Sequence, residues 1–362
     1  MRACLAAALL FIGLAACSPR FVPPDPAQGR PALNSDHLRM TDAAVLPLRV
    51  WRPEGPVRGV ILALHGFNDY SNAFDSPGRF WAKQGILTYA YDQRGFGGAP
   101  FRGRWPTVRG LTGDLGTASR LIRARHPDVP LVLLGESMGA AVVMAAMAEP
   151  VPPEADAAVL SAPAVWARET MPFWQRAGLW LFAHTVPGMK VSPRGIKRHP
   201  SDNIEMLRQL SRDPKVIKRT RVDAVYGLVN LMDAALAAAP SLPDRTLVLL
   251  GKQEDIIPSD ARAALQGRLP RDPCRVRLAQ YESGYHMLLR DLQAERVLRD
   301  VAAWIDDPRG ALPSGAERML AAAPAEAGAL ARAEGADESK EGDGVKLSLA
   351  LNCPASRLTA RP

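Results

Sequence analysis

The chain has 362 residues, 47% of them hydrophobic, and a formal net charge of +8. That length allows one large domain or two small ones, and the apolar share is that of a globular protein, which excludes a mostly disordered or fibrous chain. The positive excess is modest for the length and no RNA- or DNA-binding motif accompanies it, so nucleic acid is not an expected partner.

Met1 to Cys17 reads as a targeting segment. Arg2 supplies a positive charge, and the apolar run Cys4 to Leu14 is too short to span a bilayer as a helix. Leu14-Ala15-Ala16-Cys17 resembles the lipobox of a bacterial lipoprotein signal. The resemblance implies removal of residues 1–16, acylation of Cys17 and, with Ser18 next, sorting to the outer membrane facing the periplasm. A plain secretory signal cleaved after Ala16 is the alternative. The expected location is the bacterial cell envelope, with the membrane a partner through lipidated Cys17. Residues 17–35, rich in Pro and polar side chains, read as a tether. Cys4 leaves with the signal, so Cys274 and Cys353 are the remaining thiols. A disulfide between them and two unpaired thiols both fit that compartment.

The body begins near Asp36. Val45 to Trp51 and Arg58 to Leu64 are strand-like, separated by the turn Arg52-Pro53-Glu54-Gly55-Pro56. Phe74 to Gln84 is helical, Ile86 to Tyr91 a strand and Val108 to Arg125 a helix. Leu131 to Leu134 is a strand, Ala140 to Ala148 a helix and Ala157 to Leu160 a strand. This alternation predicts βαβ units and a mostly parallel sheet flanked by helices, an α/β fold. The rhythm breaks over residues 163–240, which are helical in pattern: an apolar run around Trp180-Leu181-Phe182, then a basic run from Lys190 to Arg221. This stretch is expected to be a helical cap inserted over the C-terminal ends of the strands, where open α/β sheets bind ligands. Thr246 to Leu250, Ser259 to Gln266, Cys274 to Ala279 and Asp291 to Ile305 resume the strand–helix rhythm. The core is thus assigned to residues 36–162 and 241–306. Residues 307–362 are poor in large apolar side chains and read as a low-complexity, disordered tail, with a short helix around Ala316 to Ala323.

Gly135-Glu136-Ser137-Met138-Gly139 joins a strand to a helix through a tight turn, the pattern of a nucleophile elbow. Glycines two residues either side of Ser137 let strand and helix pass closely. A serine nucleophile needs a base, an acid to orient it and donors for an oxyanion. His286 lies after the last predicted strand and before the last helix, where the base belongs. The acid belongs in Gly251-Lys252-Gln253-Glu254-Asp255-Ile256. Position selects Glu254, and Asp255 takes the role if the turn differs by one residue. His65-Gly66-Phe67 follows another strand, so the amides of Phe67 and Met138 are the expected oxyanion donors. Asp92-Gln93-Arg94-Gly95 ends a strand and reads as architectural.

His65-Gly-Phe-Asn-Asp-Tyr-Ser71, Tyr91-Asp-Gln-Arg-Gly-Phe-Gly97, Gly135-Glu-Ser-Met-Gly139, Ser161-Ala-Pro163 and Gly284-Tyr-His-Met-Leu-Leu289 together resemble the α/β-hydrolases of the monoacylglycerol lipase and lysophospholipase group. The resemblance spans Asp36 to Ile305. It implies an α/β-hydrolase fold, a cap, a Ser-acid-His triad, and no metal or organic cofactor. Ala140 stands where a further glycine is common, Glu254 stands where Asp is usual, and the cap and tail match nothing recognisable. The expected activity is hydrolysis of carboxylic esters of lipid-like substrates, monoacylglycerol or lysophospholipid, with the basic and apolar cap a second membrane contact. A general carboxylesterase for small soluble esters and a catalytically silent, lipid-anchored binding protein are the alternatives.

Overall fold

The computed structural model describes residues 18–192 and 198–319. Cys17 and Cys353 lie outside them, as do Arg194 and Lys197 of the basic run. Cys274 is disulfide-bonded.

The elements in chain order are β1 (Ala32–Leu33), β2 (His37–Arg39), β3 (Val45–Trp51), β4 (Gly59–Leu64), α1 (Asp75–Lys83), β5 (Ile86–Tyr91), α2 (Val108–Arg125), β6 (Leu131–Glu136), α3 (Met138–Met147) and β7 (Ala157–Ser161). They continue with α4 (Phe173–Thr185), β8 (Lys190–Val191), α5 (Ile204–Arg212), β9 (Thr220–Arg221), α6 (Val222–Ala238), β10 (Thr246–Gly251), α7 (Ser259–Arg268), β11 (Val276–Tyr281), α8 (Ala294–Asp306) and β12 (Glu317–Arg318).

One sheet runs in the order β1-β2-β3-β5-β4-β6-β7-β10-β11-β12. Pairing is parallel from β5 to β11 and antiparallel at both edges. β4, β5, β6, β7 and β10 are buried at every position, as apolar runs sandwiched between helix layers must be. Alternate residues of β4 feed two cores. Val60, Leu62 and Leu64 join Leu115 of α2, Met144 of α3 and Leu231 of α6. Ile61 and Ala63 face Trp81 of α1 and Trp304 of α8. Successive strands lie on opposite sides of β4, so the chain reverses direction across the sheet between β4 and β6. That switch point is where a crevice opens at the strands' C-terminal ends.

Four boundaries differ from expectation. The stretch expected to be only a tether packs on the body: Val22 bridges Pro106, Phe21 rests on the larger core, and β1 extends the sheet edge. Residues 307–319 are also part of the body. Leu312 and Ala316 are buried with Trp304, and Glu317–Arg318 form a strand against Leu278 and Ala279, where a helix was expected. At the cap's far end, α6 lies against α3 and contributes Leu231, Ala235 and Leu236 to the core, so the inserted cap ends near β9 rather than at residue 240. Finally, the cap contains a small antiparallel ribbon, β8 with β9, where no strand was expected.

Candidate active site

Ser137 separates β6 from α3 with φ 54° and ψ −113°. A side chain in that backbone region is strained and persists only where its surroundings hold it. Here its N–H donates to the Ser161 carbonyl at 2.9 Å, and its own carbonyl accepts from Ala141 and Ala164, each at 3.1 Å. The flanking glycines are obligatory. A Cβ on Gly139 would collide with the Leu64 carbonyl, and one on Gly135 with the backbone of Ala140.

The base comes from the loop after β11. His286 Nε2 lies 2.9 Å from Ser137 Oγ, and Nδ1 donates to Glu254 Oε2 at 2.6 Å. Glu254 comes from the loop after β10. Its Oε1 accepts the amides of Ile256 at 2.6 Å and Ile257 at 3.1 Å. Both side chains are buried. Burial works against the Glu254 carboxylate, but the hydrogen bond and charge of His286 and the two amides outweigh it and hold the pKa below the usual value. Burial likewise opposes the imidazolium, and the Glu254 hydrogen bond and charge reverse that, raising His286 above its ordinary value.

Of the two acids that the sequence left in competition, only Glu254 meets the histidine. Asp255 is turned outward: its carboxylate accepts the His199 amide at 2.9 and 3.1 Å, and its carbonyl accepts from Arg198. It fastens the cap to the acid loop.

His65, Gly66 and Phe67 continue from β4, next to the elbow. His65 is fully buried and fixed as a neutral tautomer, with Nε2 accepting the Gln93 amide at 2.9 Å and Nδ1 donating to the Gly66 carbonyl at 2.8 Å. Burial lowers its pKa. Gln93 Nε2 returns a bond to the His65 carbonyl at 2.8 Å. The next residue, Arg94, is buried between Asp42 and Asp114, which is the architectural role expected of that strand end. Among the described residues, the amides of Phe67 and Met138 enter no turn or loop backbone hydrogen bond. The Phe67 ring stands edge-on to Phe96, 5.7 Å away, and tilted against Trp105 at 6.1 Å.

The cap is tied to the loops on both sides of the triad. On the side of the Phe67 loop, Asn68 Nδ2 donates to Thr220 Oγ1 at 2.7 Å and Tyr70 Oη to Asp213 at 2.6 Å. On the histidine side, the Met287 amide donates to the Pro200 carbonyl at 2.9 Å, and Ser201 Oγ to Asp291 at 2.6 Å. Asp291 also accepts the Tyr285 amide, closing the histidine loop. Burial pushes the Asp291 carboxyl up to about 6 in spite of those bonds.

Sequence reasoning did not find the buried carboxylates Glu136, Asp69 and Asp291 around the triad, or Arg290, whose side chain is buried among them. Asp69 and Glu136 lie inside motifs quoted above and Arg290 and Asp291 directly follow another, but a charge in or beside a motif carries no sign of its burial. The only available signal was charge placed where an apolar neighbour would have cost nothing.

Residues 55–293 match the sequence family described as serine aminopeptidase, S33. Over 270 residues the chain is 28% identical to a monoacylglycerol lipase of Mycolicibacterium smegmatis, covering 71% of this chain and 91% of that one. A monoglyceride lipase of Rattus norvegicus is 25% identical over 301 residues, covering 80% and 95% respectively. Among solved structures, a soluble variant of the Saccharomyces cerevisiae monoglyceride lipase superposes with a TM-score of 0.62 at 18% identity, covering 79% of this chain and 98% of that one. The sheet order, the elbow and the family match agree: the chain belongs to the serine aminopeptidase S33 family of α/β-hydrolases and is a serine hydrolase of the lipase and esterase type.

Proposed function

We propose that the protein hydrolyses carboxylic esters of single-chain lipid amphiphiles, monoacylglycerols or lysophospholipids, through an acyl-enzyme on Ser137. The observation that carries the chemistry is the unbroken hydrogen-bond chain from Glu254 through His286 to Ser137 Oγ. His286 Nε2 takes the hydroxyl proton as Oγ attacks the ester carbonyl. The oxyanion that forms is received by the amides of Phe67 and Met138, one from each side of the switch point. The imidazolium, held by Glu254, passes its proton to the leaving alcohol. Water, deprotonated by the same histidine, then releases the acid and restores the serine.

The choice of substrate rests on the cap and on the relatives' names. In α4 Phe173 is 75% exposed and Trp174 70%, and Trp180, Leu181 and Phe182 are also exposed. Exposed large apolar side chains of this kind suit contact with acyl chains or a lipid surface. Lys190, Arg208, Arg212, Lys215 and Lys218 are exposed on the adjoining stretch, where an anionic or interfacial head group would be accommodated. Two relatives, matched over 91% and 95% of their own length, are a monoacylglycerol lipase and a monoglyceride lipase.

An acyl-chain-length series on glycerol monoesters tests this. kcat/KM is expected to rise from acetyl to long-chain esters by about tenfold or more, since each buried methylene contributes about 0.8 kcal/mol. A maximum at acetate or butyrate with no long-chain turnover would point to a small-ester carboxylesterase instead.

A further inference from the structure

Behind the nucleophile lies a buried charge network that no step of the proposed reaction uses. Arg290, four residues beyond His286, donates from Nη2 to Glu136 Oε1 and from Nη1 to Asp69 Oδ2, each at 2.9 Å. Glu136 immediately precedes Ser137, and Asp69 follows Phe67 by two residues. All three side chains are buried. Asp69 Oδ1 also accepts the Tyr70 amide at 2.8 Å, which fixes the carboxylate to its own loop. The Arg290 carbonyl accepts from Asn203 of the cap at 3.0 Å. One guanidinium therefore joins the loops leaving β4 and β11 to the last residue of β6, bringing together the segments that carry the proposed oxyanion amide, the base and the nucleophile.

Stability alone is a poor reason for such a network. Burying one cation between two carboxylates carries a large desolvation cost, and an apolar replacement of similar volume is often as stable. Among the described residues, Glu136 Oε2 and Arg290 Nε hydrogen-bond to no other protein group, so the network is held by the two Nη contacts. What the network does provide is geometry. The planar fork of arginine fixes two carboxylates at once, which a lysine ammonium on a flexible stem does not.

We infer that Arg290 is a positioning residue for the hydrolysis: through Glu136 and Asp69 it sets the serine, the oxyanion amide and the histidine at their working separations. This rests on the reading of Ser137, His286 and Phe67 given above. The charges facing His286 are Glu254, Glu136 and Arg290, the first two favouring the imidazolium and the last opposing it.

Arg290→Lys keeps the charge and removes the fork. Active sites are counted by exhaustive fluorophosphonate titration, so that kcat refers to folded enzyme. With that normalisation kcat is expected to fall about 10–100-fold with KM little changed, the effect of displacing reacting groups by about 1 Å. The acid limb of its pH–rate profile should stay in place. Glu136→Gln should lower kcat similarly and move that limb to lower pH, because a charge favouring the imidazolium is lost. The triple variant Asp69→Asn/Glu136→Gln/Arg290→Met removes all three charges together and leaves none uncompensated, so it remains informative where a single variant does not fold. It too should be folded and slow. Wild-type kcat per titrated site in Arg290→Lys or in the triple variant would overturn the inference. A wild-type protein that takes no label would instead overturn the hydrolase reading on which it rests.

Discussion

Glu254→Gln is expected to lower kcat by about 10³–10⁴-fold, while Asp255→Asn leaves the chemical step nearly intact. The reason lies in the two oxygens of Glu254. Oε1 accepts two backbone amides, from Ile256 and Ile257, so that position must remain an acceptor. A glutamine satisfies it only by placing its carbonyl oxygen there and its NH₂ group against His286 Nδ1. An NH₂ donor demands that Nδ1 be the acceptor, which moves the imidazole proton to Nε2. The nitrogen facing Ser137 then holds a proton and does not take another. Removal of the negative charge also withdraws support from the imidazolium that forms in the transition state. Asp255 touches neither group. An asparagine there still offers an oxygen to the His199 amide, so any effect should reach KM through a looser cap. Steady-state kinetics on one chromogenic ester decides between them. Equal losses in the two variants, or a larger loss from Asp255→Asn, would contradict the assignment of the acid.

Replacing the nucleophile should separate activity from stability. Ser137→Gly is expected to lose about 10⁶-fold in kcat and to gain roughly 1 kcal/mol in stability. The strain at φ 54° belongs to the Cβ, which clashes in a region that glycine occupies freely. Relief of about 1–3 kcal/mol is offset by about 0.4–1 kcal/mol of added freedom in the unfolded chain. Ser137→Ala should be equally inactive without that gain, because alanine keeps the Cβ in the same backbone. Chemical denaturation of the three proteins measures the difference. A destabilised Ser137→Gly would show that the elbow is not strained in the way its dihedrals indicate.

Much of this was legible in the sequence, for reasons particular to each element. β4 and β6 are apolar at nearly every position because both faces are covered, and such runs admit few readings. The elbow declared itself because backbone clashes at Gly135 and Gly139 leave only glycine. His286 was found by its place after a strand. Glu254 was separable from Asp255 only by a prior on loop geometry, since two adjacent carboxylates differ by one residue of register. The structural reason lies in the amides of Ile256 and Ile257, which curl the turn beneath Glu254 and leave Asp255 facing the cap.

What was missed has physical causes too. β1, β2 and β12 are two or three residues long, too short to show alternation. Leu312 and Ala316 cover Trp304 from a stretch whose composition resembles a disordered tail, and two buried apolar residues do not change a composition. α6 reads as an apolar helix whether it belongs to cap or core, and only its packing on α3 decides. The network of Arg290, Glu136 and Asp69 joins residues 154 and 221 positions apart, a relation that local pattern does not carry.

The central claim is that Ser137, activated by His286, is the nucleophile. Labelling of the native protein with a fluorophosphonate probe, followed by mass mapping of the modified peptide, tests it most directly. Stoichiometric label on Ser137 is expected in the wild type, with none in Ser137→Ala. A native wild type that takes no label, or label carried by another residue, would contradict it.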